Sequence, residues 1–116
     1  MSRARKTYFC LRLVEYTSIP LTFCFMLYLL SGYGMISPIP RIVGFTYDVS
    51  VKIHALPLLR LTTAVLALLH FYGGAVIILN RYVRRERMRE LIESFIVIMT
   101  LVLFFIILLS ELKMFY

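Results

Sequence analysis

The chain has 116 residues, of which 61% are hydrophobic and only 16% charged, and its mean hydropathy is +0.88. Ordinary globular domains are about 45–50% apolar and about 25% charged, and a chain this short has too little interior to hide the surplus from water. A soluble monomeric enzyme and a disordered tail are excluded, which leaves an integral membrane protein with room for about three or four spans at ~20 residues each. The net charge is +7, from 13 Lys and Arg against 6 Asp and Glu. These cations flank apolar runs, so they are topology signals and no nucleic-acid partner is expected.

Residues 1–12 carry Arg3, Arg5, Lys6 and Arg12 and lead into an apolar run over about 13–36. The run is longer than the roughly 7–15-residue core of a signal peptide, and no small-residue cleavage pattern follows it. It is predicted to be the first transmembrane helix. Segment 37–56 contains Pro38, Pro40 and Gly44 and is predicted to be an outer loop, with a short amphipathic stretch around 49–55. The second helix is predicted over about 57–83. Pro57 opens it, because a missing N–H matters least at the first helical position. Arg81, Arg84, Arg85, Arg87 and Arg89 crowd the next connection. The third helix is predicted over about 91–112, with Glu111 and Lys113 at its far interface. The whole chain, 1–116, is expected to form one all-α membrane-anchor domain with three transmembrane helices.

Nine Lys and Arg fall on the side of the N-terminus and the second connection, and four on the other. The positive-inside rule therefore predicts a cytoplasmic N-terminus and an external C-terminus, in the cell membrane. Cys10 and Cys24 lie outside any CxxC pattern and are expected to be packing residues. There is no phosphate-binding loop, GxGxxG, HExxH or nucleophile elbow, and no closely spaced, paired carboxylates lie within the spans. A complete enzyme is not expected.

His70 is the most informative residue. It lies near the middle of the second helix, and an ionisable side chain at membrane depth is a functional hypothesis by default. Neutral imidazole is an axial ligand of haem iron. Thr63, Leu66, His70, Gly73, Gly74 and Ile77 share one face at spacings of three and four. Two glycines one turn after the histidine give room to a flat macrocycle or to a close neighbouring helix. The residues alone leave both readings open: iron ligation, or an interhelical hydrogen bond with glycine packing. His54, before Pro57, is a second-centre ligand, a propionate contact or a wet loop residue. Sixteen residues separate the two histidines, so they cannot share one iron, and a single haem needs its second ligand from another chain. Tyr82 falls at the cytoplasmic edge, either as an aromatic-belt anchor or as a phenol donating to a carbonyl of a lipid-soluble ligand. Tyr16 and Ser18 are expected at the same level, so Ser18 is grouped with Tyr82 as a quinone-binding candidate. Arg12 and Glu15 are spaced to pair. The arginine-rich connection is a lipid-phosphate-facing cluster or a docking surface for a soluble partner.

The succession His70-Phe71-Tyr72-Gly73-Gly74, then Asn80-Arg81-Tyr82-Val83, then a basic connection and a last apolar span, resembles the hydrophobic membrane-anchor (cytochrome b) subunit of succinate dehydrogenase and fumarate reductase. The resemblance covers about residue 58 to the end, roughly half the chain. It implies that His70 ligates the iron of haem b, with the opposite ligand supplied by a second membrane-anchor subunit, and that Tyr82 hydrogen-bonds the quinone. Arg12 resembles, more loosely, the arginine near the haem propionates. The implied partners are the second anchor, an iron–sulfur subunit and a flavoprotein subunit, and the implied role is electron transfer from succinate to quinone. The chain departs from the family pattern at Arg81, where the family has an aspartate before the tyrosine. The outer loop with His54 is not accounted for by the resemblance.

Two alternatives stand beside this expectation. One is a b-type cytochrome anchor of another respiratory oxidoreductase, of hydrogenase or formate dehydrogenase type, in which His54 and His70 serve two haems at different depths. The other is a cofactor-free structural subunit of a membrane complex.

Overall fold

A computed structural model describes residues 2–114, apart from the side chains of Lys113 and Met114. The described residues are helical and contain no strand. Helix α1 (Arg3–Ile36) is followed by a 3-10 turn (Ile39–Val43), the short helix α2 (Tyr47–His54), then α3 (Pro57–Tyr82) and α4 (Glu86–Met114). Three of these, α1, α3 and α4, are long and apolar enough to cross a membrane. The chain is a multi-pass membrane protein, and most of its large apolar side chains face outward, where lipid is the solvent.

Local chemistry explains where each helix begins. The Ser2 hydroxyl accepts from the Arg5 N–H and caps α1. The Thr46 hydroxyl does the same for the Val49 N–H of α2. Pro57 opens α3 as expected. Gly44 closes the 3-10 turn at φ 92°, a left-handed conformation that glycine adopts without steric cost.

Two boundaries differ from the sequence reading. Helix α1 begins at Arg3 rather than near residue 13, and α4 begins at Glu86 rather than near residue 91. Hydropathy registers only the apolar part of a span. The segments 3–12 and 86–90 are basic or mixed in charge, and they continue their helices past the apolar run. At ~1.5 Å per residue α1 is about 51 Å long, which matches the molecule's longest dimension of 52 Å.

Helix α3 is central, with α1 on one side and α4 on the other. The shortest dimension is 19 Å, more than the ~10–12 Å width of a single helix, and α1 and α4 come together at the basic end through Lys6 and Glu93. Thr7 meets Asn80 and Thr17 meets His70. Ten residues forward on α1 thus correspond to ten residues back on α3, and the two helices run antiparallel in constant register.

The face of α1 turned inward repeats every seven residues: Cys10, Thr17, Cys24 and Ser31 are all buried. A seven-residue period keeps one seam against a neighbouring helix, and small side chains at that seam let backbones approach in lipid. Both cysteines are free and buried, in keeping with a packing role. On α3 the closest approach is at Gly73, where an added Cβ would lie 2.9 Å from Val14 Cγ2 and 3.1 Å from the Cys10 carbonyl oxygen. Gly74 faces open space.

Helix α4 is pinned at both ends. Glu93 pairs with Lys6 of α1 at the basic end. At the loop end Glu111 receives Arg60 of α3 in a two-pronged bond, with Nε at 2.5 Å and Nη2 at 2.9 Å. Helix α2 docks on α1 where Ser50, fully buried, stands so close to Gly34 that a Cβ there would overlap its hydroxyl.

The two neighbouring glycines should therefore respond differently. Gly73→Ala drives a methyl into Val14 and the Cys10 carbonyl, and overpacking of this kind costs about 1–3 kcal/mol. Gly74→Ala meets nothing and gains helix propensity. Thermal unfolding of the detergent-solubilised protein should rank Gly74→Ala at or above the native chain and Gly73→Ala below it. Equal melting temperatures would refute this seam.

Candidate functional site

The seam between α1 and the elements opposite it carries two histidine contacts built on one plan. His70 Nδ1 lies 3.1 Å from Thr17 Oγ1, and His54 Nδ1 lies 3.0 Å from Ser31 Oγ. Thr17 and Ser31 both belong to the seven-residue seam. In each case the imidazole comes from a different element, α3 for His70 and the last residue of α2 for His54.

The hydroxyls decide where the imidazole protons sit. A hydroxyl has one hydrogen to give. That of Thr17 goes back to its own helix, to the Leu13 carbonyl at 2.8 Å. With the hydrogen on this nearest acceptor, the oxygen accepts and we assign His70 as the donor through Nδ1–H. The neutral ring in this tautomer carries its free lone pair on Nε2. Nε2 of His70 has no hydrogen-bond partner among the described residues. An imidazole with one N–H held by a fixed acceptor and a bare second nitrogen is the arrangement that metal-ligating histidines adopt. The space beside Gly74, one turn further along α3, is open.

His54 is held by more than its hydrogen bond. Its ring meets Tyr28 edge to face, with centroids 5.1 Å apart and planes at 84°. Its Cε1 lies over Gly32, 3.7 Å from where a Cβ would be. Fourteen residues separate Thr17 from Ser31, which places the two imidazoles ~21 Å apart along the α1 axis at ~1.5 Å per residue. They do not meet. No group of three or more His, Cys, Asp or Glu side chains comes together among the described residues, so the chain offers single ligands and no complete metal cage.

The other sequence candidates are scattered. Tyr82 is 70% exposed at the end of α3, with the Arg81 guanidinium 5.6 Å from its ring centroid. It lines an apolar groove of about 310 Å³ between α3 and α4, together with Ile78, Leu79, Val83, Ile92 and Ile96. Ser18 is not at this level. The Thr17–His70 contact sets Ser18 beside the middle of α3, whereas Tyr82 lies twelve residues beyond His70, ~18 Å further along the helix. The early start of α1 is the reason, because it moves residues 16–18 from the interface to mid-span. The Ser18 hydroxyl donates to the Val14 carbonyl at 2.6 Å.

Arg12 pairs with Glu15 at 3.4 Å, as its spacing predicted. It also reaches the Tyr8 hydroxyl at 3.1 Å and stacks on the Tyr8 ring. Five residues before Thr17, it points ~140° around the helix from the seam at ~100° per residue, away from His70.

Thr17, Ser31 and Tyr28 escaped the sequence reading. The available signal was the seven-residue recurrence of small side chains, which sets Thr17 and Ser31 at nearly the separation of the two histidines. No family model matches this chain, and no curated protein or solved structure shows significant similarity to it.

Thr17→Val keeps the shape of the seam and removes the acceptor. In ¹⁵N-histidine spectra of the native chain without added cofactor, His70 should show a protonated Nδ1 and an unprotonated Nε2. In Thr17→Val that preference should collapse. A native His70 protonated on Nε2 would refute the tautomer assignment.

Proposed function

We propose that this chain is a haem-binding membrane-anchor subunit of a quinone-linked respiratory oxidoreductase of the succinate dehydrogenase and fumarate reductase class. The observation that carries the reading is His70: an imidazole at mid-span with Nδ1 tied to Thr17 and Nε2 free. A purely structural histidine in lipid would leave that nitrogen unsatisfied, which is costly where no water replaces the partner. The resemblance over about 58–116 points to the same residue.

In this reading His70 supplies one axial nitrogen to haem b and a second membrane-anchor subunit supplies the other. The bound haem would provide one-electron chemistry, and Thr17 fixes the ring so that Nε2 needs no reorientation to bind iron. Arg12 turns away from His70, so it is not among the residues assigned to the haem.

Tyr82 is the residue of this chain assigned to quinone. Its groove is lined by aliphatic side chains, which suits a lipid-soluble tail. The groove itself presents no polar surface, so the Tyr82 phenol would meet the headgroup outside it and the remaining headgroup contacts belong to the partner subunits. Ser18 is too far along the bundle to join it. The N-terminus and the arginine-rich connection face the cytoplasm by the positive-inside rule. There the connection faces a flavoprotein and an iron–sulfur subunit, with the assembly in the cell membrane.

His70→Ala should abolish the low-spin b-type signal assigned to this site in the reduced-minus-oxidised spectrum of the purified complex. An unchanged spectrum would remove the basis of the proposal and favour a cofactor-free structural subunit. Tyr82→Phe removes one hydrogen bond, worth about 0.5–1.5 kcal/mol. The KM for quinone should therefore rise about 2- to 10-fold, while succinate oxidation by artificial dyes is spared. Unaltered quinone kinetics would reduce Tyr82 to an interfacial anchor.

A further inference from the structure

We propose that the groove between α1 and α3 at the basic end binds one anionic phospholipid. Arg3 and Arg81 hold its phosphate, and an acyl chain lies below them against Leu11 and Ile77. The inference is independent of the haem and quinone readings.

Depth decides what can occupy the groove. Arg60 and Arg81 stand near opposite ends of α3, twenty-one residues apart. At ~1.5 Å per residue that is ~32 Å, close to the ~30 Å hydrocarbon thickness. Arg81 therefore lies at a membrane boundary. Arg3 is level with it, because its Nη2 donates to the Asn80 carbonyl at 2.5 Å. Both arginines line a groove of about 630 Å³. Leu11, which also lines it, is eight residues beyond Arg3, ~12 Å nearer mid-span. Ile77 of α3 forms the facing apolar wall. Cations at headgroup depth above apolar walls at chain depth reproduce the layering of a phospholipid. The walls are also held together: Asn80 Nδ2 donates to Thr7 Oγ1 at 2.9 Å, and Thr7 donates to the Arg3 carbonyl at 2.9 Å.

The charge at the rim is uncompensated. No residue lining the groove is acidic, and neither Arg3 nor Arg81 forms an ion pair among the described residues. The next cations along α1, Lys6 and Arg12, are instead paired with Glu93 and Glu15. Capping the end of α3 accounts for one of the five N–H groups of Arg3 and gives Arg81 no task. Tyr8, on the α1 wall, accepts from Arg12 Nε at 3.1 Å, which leaves its own hydroxyl hydrogen to donate. Guanidinium forks match phosphate oxygens. An acidic protein segment would match the cations and leave the apolar walls unused, whereas a phosphodiester carrying an acyl chain matches both. The groove also differs from the rest of the arginine-rich connection. Arg84, Arg85, Arg87 and Arg89 do not line it and are interspersed with Glu86 and Glu90.

The test is native mass spectrometry of the full chain in detergent, titrated with phosphatidylglycerol or with phosphatidylcholine of the same acyl chains. The chain should take up one phosphatidylglycerol in preference to phosphatidylcholine. Arg81→Gln breaks no hydrogen bond among the described residues. It should weaken phosphatidylglycerol binding about 5-fold, and adding Arg3→Gln should bring the loss to about 25-fold, at about 5-fold per cation. Should Arg3→Gln fail to fold, Arg81→Gln decides alone. Arg84→Gln with Arg87→Gln removes the same charge outside the groove and should leave the first phosphatidylglycerol in place. Leu11→Trp fills the apolar part without altering charge and should lower uptake of both lipids. Excess glycerol 3-phosphate, which has the charge and no acyl chain, should not displace bound lipid. Equal binding of the two lipids would overturn the inference. So would an equal loss in Arg84→Gln with Arg87→Gln, which shows diffuse attraction. Undiminished uptake in Leu11→Trp, or displacement by glycerol 3-phosphate, would overturn it as well, leaving an anion site that needs no lipid. None of these readouts depends on haem or quinone, so failure here leaves the proposed function standing.

Discussion

A hydroxyl that has already given its hydrogen away is the element on which this molecule turns. In lipid, helix association gains little from the hydrophobic effect, because the surroundings are as apolar as the side chains. The seam between α1 and α3 must therefore depend on close packing and on a few hydrogen bonds. Cys10, Thr17, Cys24 and Ser31 meet both needs with small residues at a seven-residue period. Thr17 illustrates the economy of the design. Its short side chain lets the helices approach, its hydrogen satisfies the Leu13 carbonyl, and its oxygen sets the tautomer of His70. Packing and chemistry are decided by the same atom.

The arrangement of the helices follows from the same constraint. Helices α1 and α4 each pack along α3 and meet one another at the basic end through Lys6 and Glu93. Polar side chains that bridge elements are correspondingly few. They fall in tiers: Arg3, Lys6, Thr7, Asn80 and Glu93 at the basic end, Thr17 with His70 in the middle, and Ser31 with His54 and Arg60 with Glu111 at the loop end. Each tier ties neighbouring elements together.

Much of this was legible in the sequence, and the failures have two causes. The three spans, the opening of α3 at Pro57 and the packing role of the cysteines depend on local patterning, which a linear reading captures. The outer segment, read as a loop with a short amphipathic stretch, instead contains the helix α2. The start of α1 was missed. Residues 3–12 are basic and aromatic, so a hydropathy scan discards them, although Ser2 caps them into the same helix as the apolar run. That single displacement carried Ser18 away from Tyr82. The histidine contacts were hidden for a different reason. Thr17 and His70 are 53 residues apart in sequence, and only the antiparallel register, fixed in part by the Gly73 approach, brings them together. The seating of α2 is likewise non-local, because it depends on Gly34 and Ser50 meeting across a turn.

Arg81 is the residue at which the chain departs from the pattern it otherwise resembles, and its geometry gives the departure a physical sense. A carboxylate beside Tyr82 would accept the phenolic hydrogen and compete with any ligand for it. The guanidinium instead lies over the ring face, 5.6 Å from its centroid, attracted by the ring quadrupole. Having no acceptor atom, it cannot draw off the hydroxyl hydrogen. Its positive charge also makes the phenol a better donor to a neighbouring carbonyl. The reversal of charge therefore leaves the proposed quinone contact with its donor intact.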